Sequence, residues 1–480
     1  MRFSCATSVR LAWRKSWSTP KTGLGRRIRE TPTTIPLACK QGEFRFQSHT
    51  VASKGTVMEA RTYGEFSRSV HGHYSGQRAP LSVSIEVTRR CPLDCLHCYN
   101  NLAMADQEAR SRELNKEEHF RLLDDLADLG CLWLLYTGGE IFARKDFLEI
   151  YAYAKQKGFL ITLFTNGTLI TERVADYLQQ SPPFAIEITL YGRTKETYEA
   201  LTGIEGSYER CLRGVVLLRD RGLPLKLKTV PTTVNKHEVV AMKDFAEQEL
   251  HLDFKFDSLI NPRIDCSQSP LAVRLSPEEV VLLDLHWPKI AAEHREAAQR
   301  DLKLSSESVQ SDTVYSCGGG IDSFALDPYG HMSICVLSHQ DTYDIRSGSV
   351  KEGWELFLRK VRARERRRIS KCVKCRIRSL CSMCPANGEL ENGDAESPVD
   401  FLCEVAHLRA MALGLDVPGH GECDFCSGGR HYESVNESAH RIASKEINVS
   451  EWISPKVLLP ILNNSSASSY GGCNGCGGGS

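Results

Sequence analysis

Residues 81–98 most constrain what this chain can fold into. Leu81, Val83, Ile85 and Val87 are apolar at alternate positions, the period of a β-strand. Cys91, Cys95 and Cys98 follow at once, spaced Cys-x-x-x-Cys-x-x-Cys, with Tyr99 directly behind. Four thiolates would close the coordination of a four-iron cube. Three leave one iron open, as catalytic zinc sites keep one position open. The end of a strand is also where barrel-type α/β enzymes keep their active sites. The spacing therefore predicts a reactive metal loop on a parallel sheet.

The rest of the chain repeats the theme. Strands are predicted over 81–88, 132–137, 159–165, 184–190, 225–230 and 253–259. Helical patterns lie between them, near 146–157, 171–180, 207–221 and 235–249. Asn115 is an N-cap candidate with Glu118 as its capping-box partner. The helix it opens carries Phe120, Leu122, Leu123, Leu126 and Leu129 on one face. Gly158 and Gly222 stand where helices should end. Strand–helix alternation with short links implies parallel strands and right-handed crossovers. Six such units predict an α/β fold, a partial (β/α)6 barrel.

Three further strand ends carry small and polar residues: Tyr136-Thr137-Gly138-Gly139-Glu140, Phe164-Thr165-Asn166-Gly167-Thr168 and Glu187-Ile188-Thr189-Leu190-Tyr191-Gly192. Glycine lets backbone approach a ligand closely, and a carboxylate accepts from an ammonium. Taken with the cysteine loop and Tyr99, these motifs resemble radical S-adenosylmethionine (SAM) enzymes. The resemblance implies a [4Fe–4S] cluster on Cys91, Cys95 and Cys98 that binds SAM through its open iron. It implies SAM contacts at Tyr99, Gly138, Gly139, Glu140, Asn166 and Thr189. By strand period Glu187 and Thr189 share a face, as do Lys226 and Lys228, which either meet a SAM carboxylate or reach solvent.

A second constellation follows. Cys317 and Cys335 flank Phe324 to Met332, whose Asp327 to Gly330 stretch suits a tight turn. Then come Cys372-x-x-Cys375, Cys381-x-x-Cys384 and Cys403. This pattern resembles the SPASM extension of radical SAM peptide-modifying enzymes, except that two residues rather than three separate Cys381 from Cys384. The resemblance implies one auxiliary iron–sulfur cluster on Cys372, Cys375, Cys381 and Cys403. It implies another on Cys317, Cys335 and Cys384, with an open position. Taken alone, the paired Cys-x-x-Cys units would also suit a zinc knuckle. Cys423-x-x-Cys426 shows only two ligands and reads equally as a surface turn. Cys131, Cys211 and Cys266 read as buried small apolar residues, and Arg362 to Arg368 as a solvated helix face.

The implied activity is reductive cleavage of SAM to a 5′-deoxyadenosyl radical, which takes hydrogen from a peptide or protein substrate. The alternatives are small-molecule cofactor biosynthesis of porphyrin or quinone type, and a non-catalytic iron–sulfur electron carrier. An electron donor such as flavodoxin or ferredoxin is the expected partner. Sixty basic and sixty acidic residues cancel, which argues against nucleic acid. No stretch is long and apolar enough for a membrane span. Nineteen cysteines rich in Cys-x-x-Cys point to metal ligation in a reducing cytoplasm rather than to disulfides.

The expected organisation is a basic extension over 1–57, a lead-in over 58–80, the barrel over 81–275, a bridging helix and linker over 276–314, an auxiliary-cluster domain over 315–410, and a C-terminal extension over 411–480. The basic extension has eight Lys or Arg and no acid up to Arg29. It resembles a transit peptide but reads better as disordered, or as preceding a true start at Met58. The tail ends in a Gly-rich segment with Cys473 and Cys476, expected to be disordered; its thiols read as an end without a role or, alternatively, as a substrate mimic, a fused precursor peptide or a source of a fourth cluster ligand.

Overall fold

The computed structural model describes residues 61–303, 312–420, 422–449 and 452, with three short strands at Thr7–Val9, Ile35–Lys40 and Glu43–Phe46. Those three pair in antiparallel fashion with each other and with Arg61–Thr62. The rest of the basic extension and the Cys473/Cys476 tail lie outside the described residues.

Six parallel strands form the centre: β1 (Ser82–Glu86), β2 (Trp133–Thr137), β3 (Leu160–Thr165), β4 (Ala185–Thr189), β5 (Leu225–Thr229) and β6 (Asp253–Phe256). Each pairs with its sequence neighbour. Every strand lies within the span its apolar pattern predicted. Three more strands follow: β7 (Ser323–Leu326), β8 (His331–Ser333) and β9 (Tyr343–Asp344). The complete sheet runs β6-β5-β4-β3-β2-β1-β7-β8-β9. β7 lies parallel to β1, with Phe324 opposite Val83, while β8 and β9 add as antiparallel strands. The turn read from Asp327 to Gly330 is therefore part of a hairpin continuing the barrel sheet.

Helices α1 (Lys116–Asp128), α2 (Phe147–Lys157), α3 (Glu172–Gln180), α4 (Ser207–Asp220) and α5 (Val239–Asp244) fill the crossovers. Asn115 caps α1 and Glu118 completes the capping box. Leu122, Leu123 and Leu126 of α1 are fully buried, in one core with Val83, Ile85, Leu134, Ile161, Leu163, Ile186, Ile188 and Leu227. Burying each such side chain contributes about 1.5–3 kcal/mol. The bridging helix differs from expectation. It is two helices, α6 (Pro277–His286) and α7 (Pro288–Lys303), separated at Trp287. Pro288 cannot donate the amide an unbroken helix needs, so it opens a new one.

Beyond the sheet, α8 (Pro385–Asn392), α9 (Asp400–Ala412) and α10 (Tyr432–Ala443) build a smaller helical unit. Its apolar seam joins Leu275, Val280 and Val281 to Leu408, Val435 and Ala439. Residues 363–368 are not a helix face, since the short helix ends at Arg362. Instead the run ties segments together: Arg362 donates to the Cys317 carbonyl, Arg364 pairs with Asp341, and the amides of Arg367 and Arg368 donate to Glu396.

Candidate active site

All four motifs of the first site fall where the parallel strands end. Cys91, Cys95 and Cys98 occupy the loop after β1, and buried groups hold that loop at both ends. At its start, Arg90 makes a two-point contact with Glu113 at 2.9 and 3.0 Å. Thr88 donates to the same carboxylate at 2.5 Å. At its end, Glu86 on β1 accepts from Asn100 Nδ2 at 2.5 Å and from the Tyr99 hydroxyl at 3.3 Å. Arg263, beyond β6, donates to the Cys98 carbonyl and to Asn101, and Ile264 N–H donates to the Tyr99 carbonyl. The sequence signalled none of Glu86, Glu113 or Arg263. The adjacent Arg89-Arg90 pair directly before Cys91 was the one available hint.

The glycines of the second motif serve this loop. Gly139 N–H donates to the Thr88 carbonyl at 2.7 Å, and Glu140 N–H to the Arg90 carbonyl at 3.0 Å. A Cβ on Gly138, whose φ is +127°, would lie 2.1 Å from the Thr88 carbonyl oxygen. One on Gly139 would lie 2.5 Å from two carbonyl oxygens, those of Arg89 and Arg90. The close approach that requires glycine is thus to the cysteine loop of the chain itself.

Glu140 is fully buried, and both its oxygens are engaged, by Thr165 Oγ1 and by the amides of Phe142 and Asn166. Burial nevertheless holds its carboxyl above the usual range. It ties the end of β2 to the end of β3. That tie positions Asn166, whose Nδ2 reaches Cys91 Sγ at 3.5 Å. Thr189 hydrogen-bonds the Tyr191 side chain, which in turn bonds Cys95. Tyr99 is anchored to Glu86. The lysines resolve as ion pairs: Lys228 and Lys255 both meet Glu187, and Lys226 meets Asp253 near solvent.

The thiols suit a multi-iron group. Burial pushes Cys91 up to about 12 and raises Cys95 and Cys98 as well. Three neighbouring buried thiolates would be unstable here without a strongly cationic centre to hold them. Their sulfurs do not all fall within 4.8 Å of one another. A single tetrahedral ion would bring them to about 3.8 Å, from Zn–S bonds of about 2.3 Å.

The second constellation divides into two groups. Cys372 hydrogen-bonds Cys403, which lowers Cys372 and raises Cys403, and Cys381 interacts electrostatically with Cys372, Cys375 and Cys403. Separately, Cys335 interacts with Cys317 and Cys384. Cys317 is exposed, while Cys335 and Cys384 are half-buried. The structure thus brings these thiols together in the two groups that the resemblance implies. A cavity of about 100 Å³ is bordered by Cys372, Cys375, Cys381, Cys384 and Cys403. The two regions communicate through Arg89, which bonds Glu86 at 3.2 Å and reaches Asp327 of the β7–β8 turn at 3.6 Å. Cys131, Cys211 and Cys266 are buried as expected. Cys423 and Cys426 are also buried, so the surface-turn reading fails for them.

Among the described residues no helix is long and apolar enough to cross a membrane. The family model that matches is the radical SAM superfamily, over residues 85–246. The chain is 28% identical over 367 residues to the Fe-coproporphyrin III synthase of Methanosarcina barkeri, covering 68% of this chain and 90% of that protein. It is 26% identical to the AdoMet-dependent heme synthase of Nitratidesulfovibrio vulgaris, covering 66% and 91%. A PqqA peptide cyclase of Granulibacter bethesdensis is 31% identical over 168 residues, 35% of this chain and 44% of that one. In fold, the chain resembles Streptococcus suis SuiB bound to S-adenosylmethionine, with a TM-score of 0.53 and 16% identity over 74% of this chain and 83% of SuiB. It also resembles anSMEcpe with bound AdoMet, with a TM-score of 0.52 and 17% identity over 76% of this chain and 100% of that structure. Residues 85–246 therefore carry a radical SAM superfamily domain, a family that binds SAM and a [4Fe–4S] cluster.

Proposed function

We propose that this chain is a radical SAM oxidoreductase whose SAM-binding cluster sits on Cys91, Cys95 and Cys98, and whose substrate is a porphyrin-type small molecule. The observation that carries the activity is a loop of three half-buried thiols whose leading backbone, Thr88 to Arg90, seats against Gly138 and Gly139 at the ends of parallel strands. When bound, the cluster and SAM supply one electron and a 5′-deoxyadenosyl radical able to take hydrogen from unactivated carbon. The chain supplies position and dryness. Glu113, Glu86 and Arg263 fix the thiol loop, and Asn166 donates toward the Cys91 sulfur. Tyr99, Gly138, Gly139, Glu140, Asn166 and Thr189 frame the SAM side of the site.

Cys372, Cys375, Cys381 and Cys403 would hold one auxiliary cluster in a SPASM-type arrangement. Cys317, Cys335 and Cys384 would hold another with an open position. Apart from Cys317, which precedes β7, these thiols follow it, and Arg89 joins Asp327 of the β7–β8 turn to Glu86 on β1. An electron donor such as flavodoxin or ferredoxin would serve both clusters.

The porphyrin-type substrate is favoured by the extent of the likeness. The synthases match over about two thirds of this chain and 90% or more of their own length, whereas the peptide cyclase matches over 35% of this chain and 44% of its own. A second reading, modification of a peptide or protein, is favoured by the higher identity to a PqqA peptide cyclase, 31% over 168 residues.

The test is anaerobic reconstitution with SAM and a strong reductant, followed by measurement of 5′-deoxyadenosine. Wild type should form it and the Cys91→Ala/Cys95→Ala/Cys98→Ala variant should not. Equal amounts from both would end the radical reading. Iron-coproporphyrin III should then raise the rate, while a peptide of sequence 470–480 should not. The reverse result would replace the substrate class with the second reading.

A further inference from the structure

The C-terminal helical unit contains four metal-binding side chains that neither cysteine constellation uses. His407, His420, Cys423 and Cys426 are all buried, between 2% and 6% exposed. One ligand atom from each lies within 4.8 Å of all the others. His407 Nε2 is 3.6 Å from Cys423 Sγ and 3.4 Å from Cys426 Sγ. His420 Nδ1 is 3.3 Å from Cys426 Sγ. A tetrahedral zinc ion, with Zn–S of about 2.3 Å and Zn–N of about 2.0–2.1 Å, sets ligand nitrogen and sulfur about 3.5 Å apart. The observed edges straddle that value.

The surroundings fit ligation. His407 Nδ1 is 2.7 Å from the Cys403 carbonyl, an acceptor only, so Nδ1 carries the proton and Nε2 keeps its lone pair. Orientation of a histidine ligand through its other nitrogen is the usual outer support of a zinc site. The Cys423–Cys426 segment is a tight knuckle, in which Cys426 N–H donates to the Cys423 carbonyl and Gly429 N–H to that of Cys426. A Cβ on Gly429 would lie 2.4 Å from the Asp424 carbonyl oxygen, so the turn closes too tightly for any other residue. Phe425, 3% exposed, packs beside the His407 ring at a centroid distance of 5.7 Å.

We propose that His407, His420, Cys423 and Cys426 bind one structural zinc ion per chain. The site uses none of the auxiliary-cluster thiols but adjoins them: His407, His420 and Cys423 line the same cavity as Cys372, Cys375 and Cys403, and the two sites share a helix. Cys403 and His407 stand four residues apart on α9, so the helix presents one ligand to each site. The ion would lock the segment after α9 onto that helix and hold Cys403 in place. Two thiolates with two imidazoles also serve Rieske two-iron centres, but there they divide between two irons; four ligand atoms all within 4.8 Å of one another surround a single ion, and a closed four-ligand set matches structural zinc. The boundary between the sites runs between His420 and Cys375, which hydrogen-bond each other.

Metal analysis of the full chain, purified anaerobically and reconstituted with iron and sulfide, tests this. Wild type should retain one zinc per chain against a weak chelator, with a zinc X-ray absorption spectrum showing two sulfur and two nitrogen neighbours. Cys423→Ser/Cys426→Ser should lose the zinc and keep its iron. Cys372→Ser/Cys375→Ser should lose iron and keep the zinc. Should the first variant fail to fold, His420→Cys retains four ligands and should shift the zinc shell to three sulfur and one nitrogen. A wild-type protein without zinc, a zinc shell of another composition, a Cys423–Cys426 disulfide, or loss of iron in place of zinc on replacing Cys423 and Cys426 overturns the proposal.

Discussion

Gly139 has no room for a side chain, because its missing Cβ faces the carbonyl oxygens of Arg89 and Arg90 at 2.5 Å. These are backbone atoms that cannot rotate away. Gly139→Ala should therefore shift the cysteine loop, lowering bound iron and 5′-deoxyadenosine formation together. Retention of both at wild-type level would show that the loop yields more easily than its hydrogen bonds suggest. Glu113 makes a second case. Its carboxylate is buried against Arg90, with Arg144 at 3.9 Å. Removing one partner of a buried pair strands the other and costs about 3–5 kcal/mol. Glu113→Gln should lower the midpoint of chemical unfolding accordingly, and an unchanged midpoint would exclude the clamp. The thiols and glycines were legible as motifs. Glu86 and Glu113 were not, because a carboxylate in a linear sequence carries no sign that it will be buried beside an arginine.

At the scale of elements, the β7–β8 hairpin carries the most information that local pattern missed. Its turn was recognisable from Asp327 to Gly330, but its parallel pairing to β1 was not, since β7 lies more than two hundred residues away. Asp327 holds the turn by accepting from the amides of Tyr329 and His331 and from His331 Nδ1 at 3.0 Å. Despite burial, His331 and Arg89 keep the Asp327 carboxyl below its usual range, and Asp327 raises His331. The two shifts act in opposite directions with pH. The Asp327 contribution is complete above the ordinary aspartate value and is lost as pH falls through its lowered one. The His331 contribution is complete below the ordinary histidine value and is lost as pH rises through its raised one. The hairpin should therefore be tightest between those limits. Asp327→Asn should return the His331 titration, followed by NMR, toward the ordinary histidine value. A titration unmoved by that substitution would remove Asp327 as the cause.

For the whole molecule, one sheet links the thiol loop after β1 to the cysteines beyond β7, and the helical unit packs on α6 behind the barrel. The first site and the auxiliary thiols are on separate elements, so they should fail separately. Cys372→Ser/Cys375→Ser should reduce iron content while SAM cleavage without substrate continues. If cleavage stops together with the iron loss, the two regions act as one cooperative unit.

The sequence by itself determined the six parallel strands, the capping of α1 and the thiol loop at the head of the sheet. Each of these is encoded locally, by a repeat of two residues, by a cap and its partner three residues on, or by ligands within one loop. Only the tertiary structure decided which carboxylates clamp that loop, that β7 extends the barrel sheet, and that His407 and His420 join Cys423 and Cys426. The physical reason is separation along the chain. Those groups come from different elements, and no local periodicity records which distant side chains the packing will bring within bonding distance.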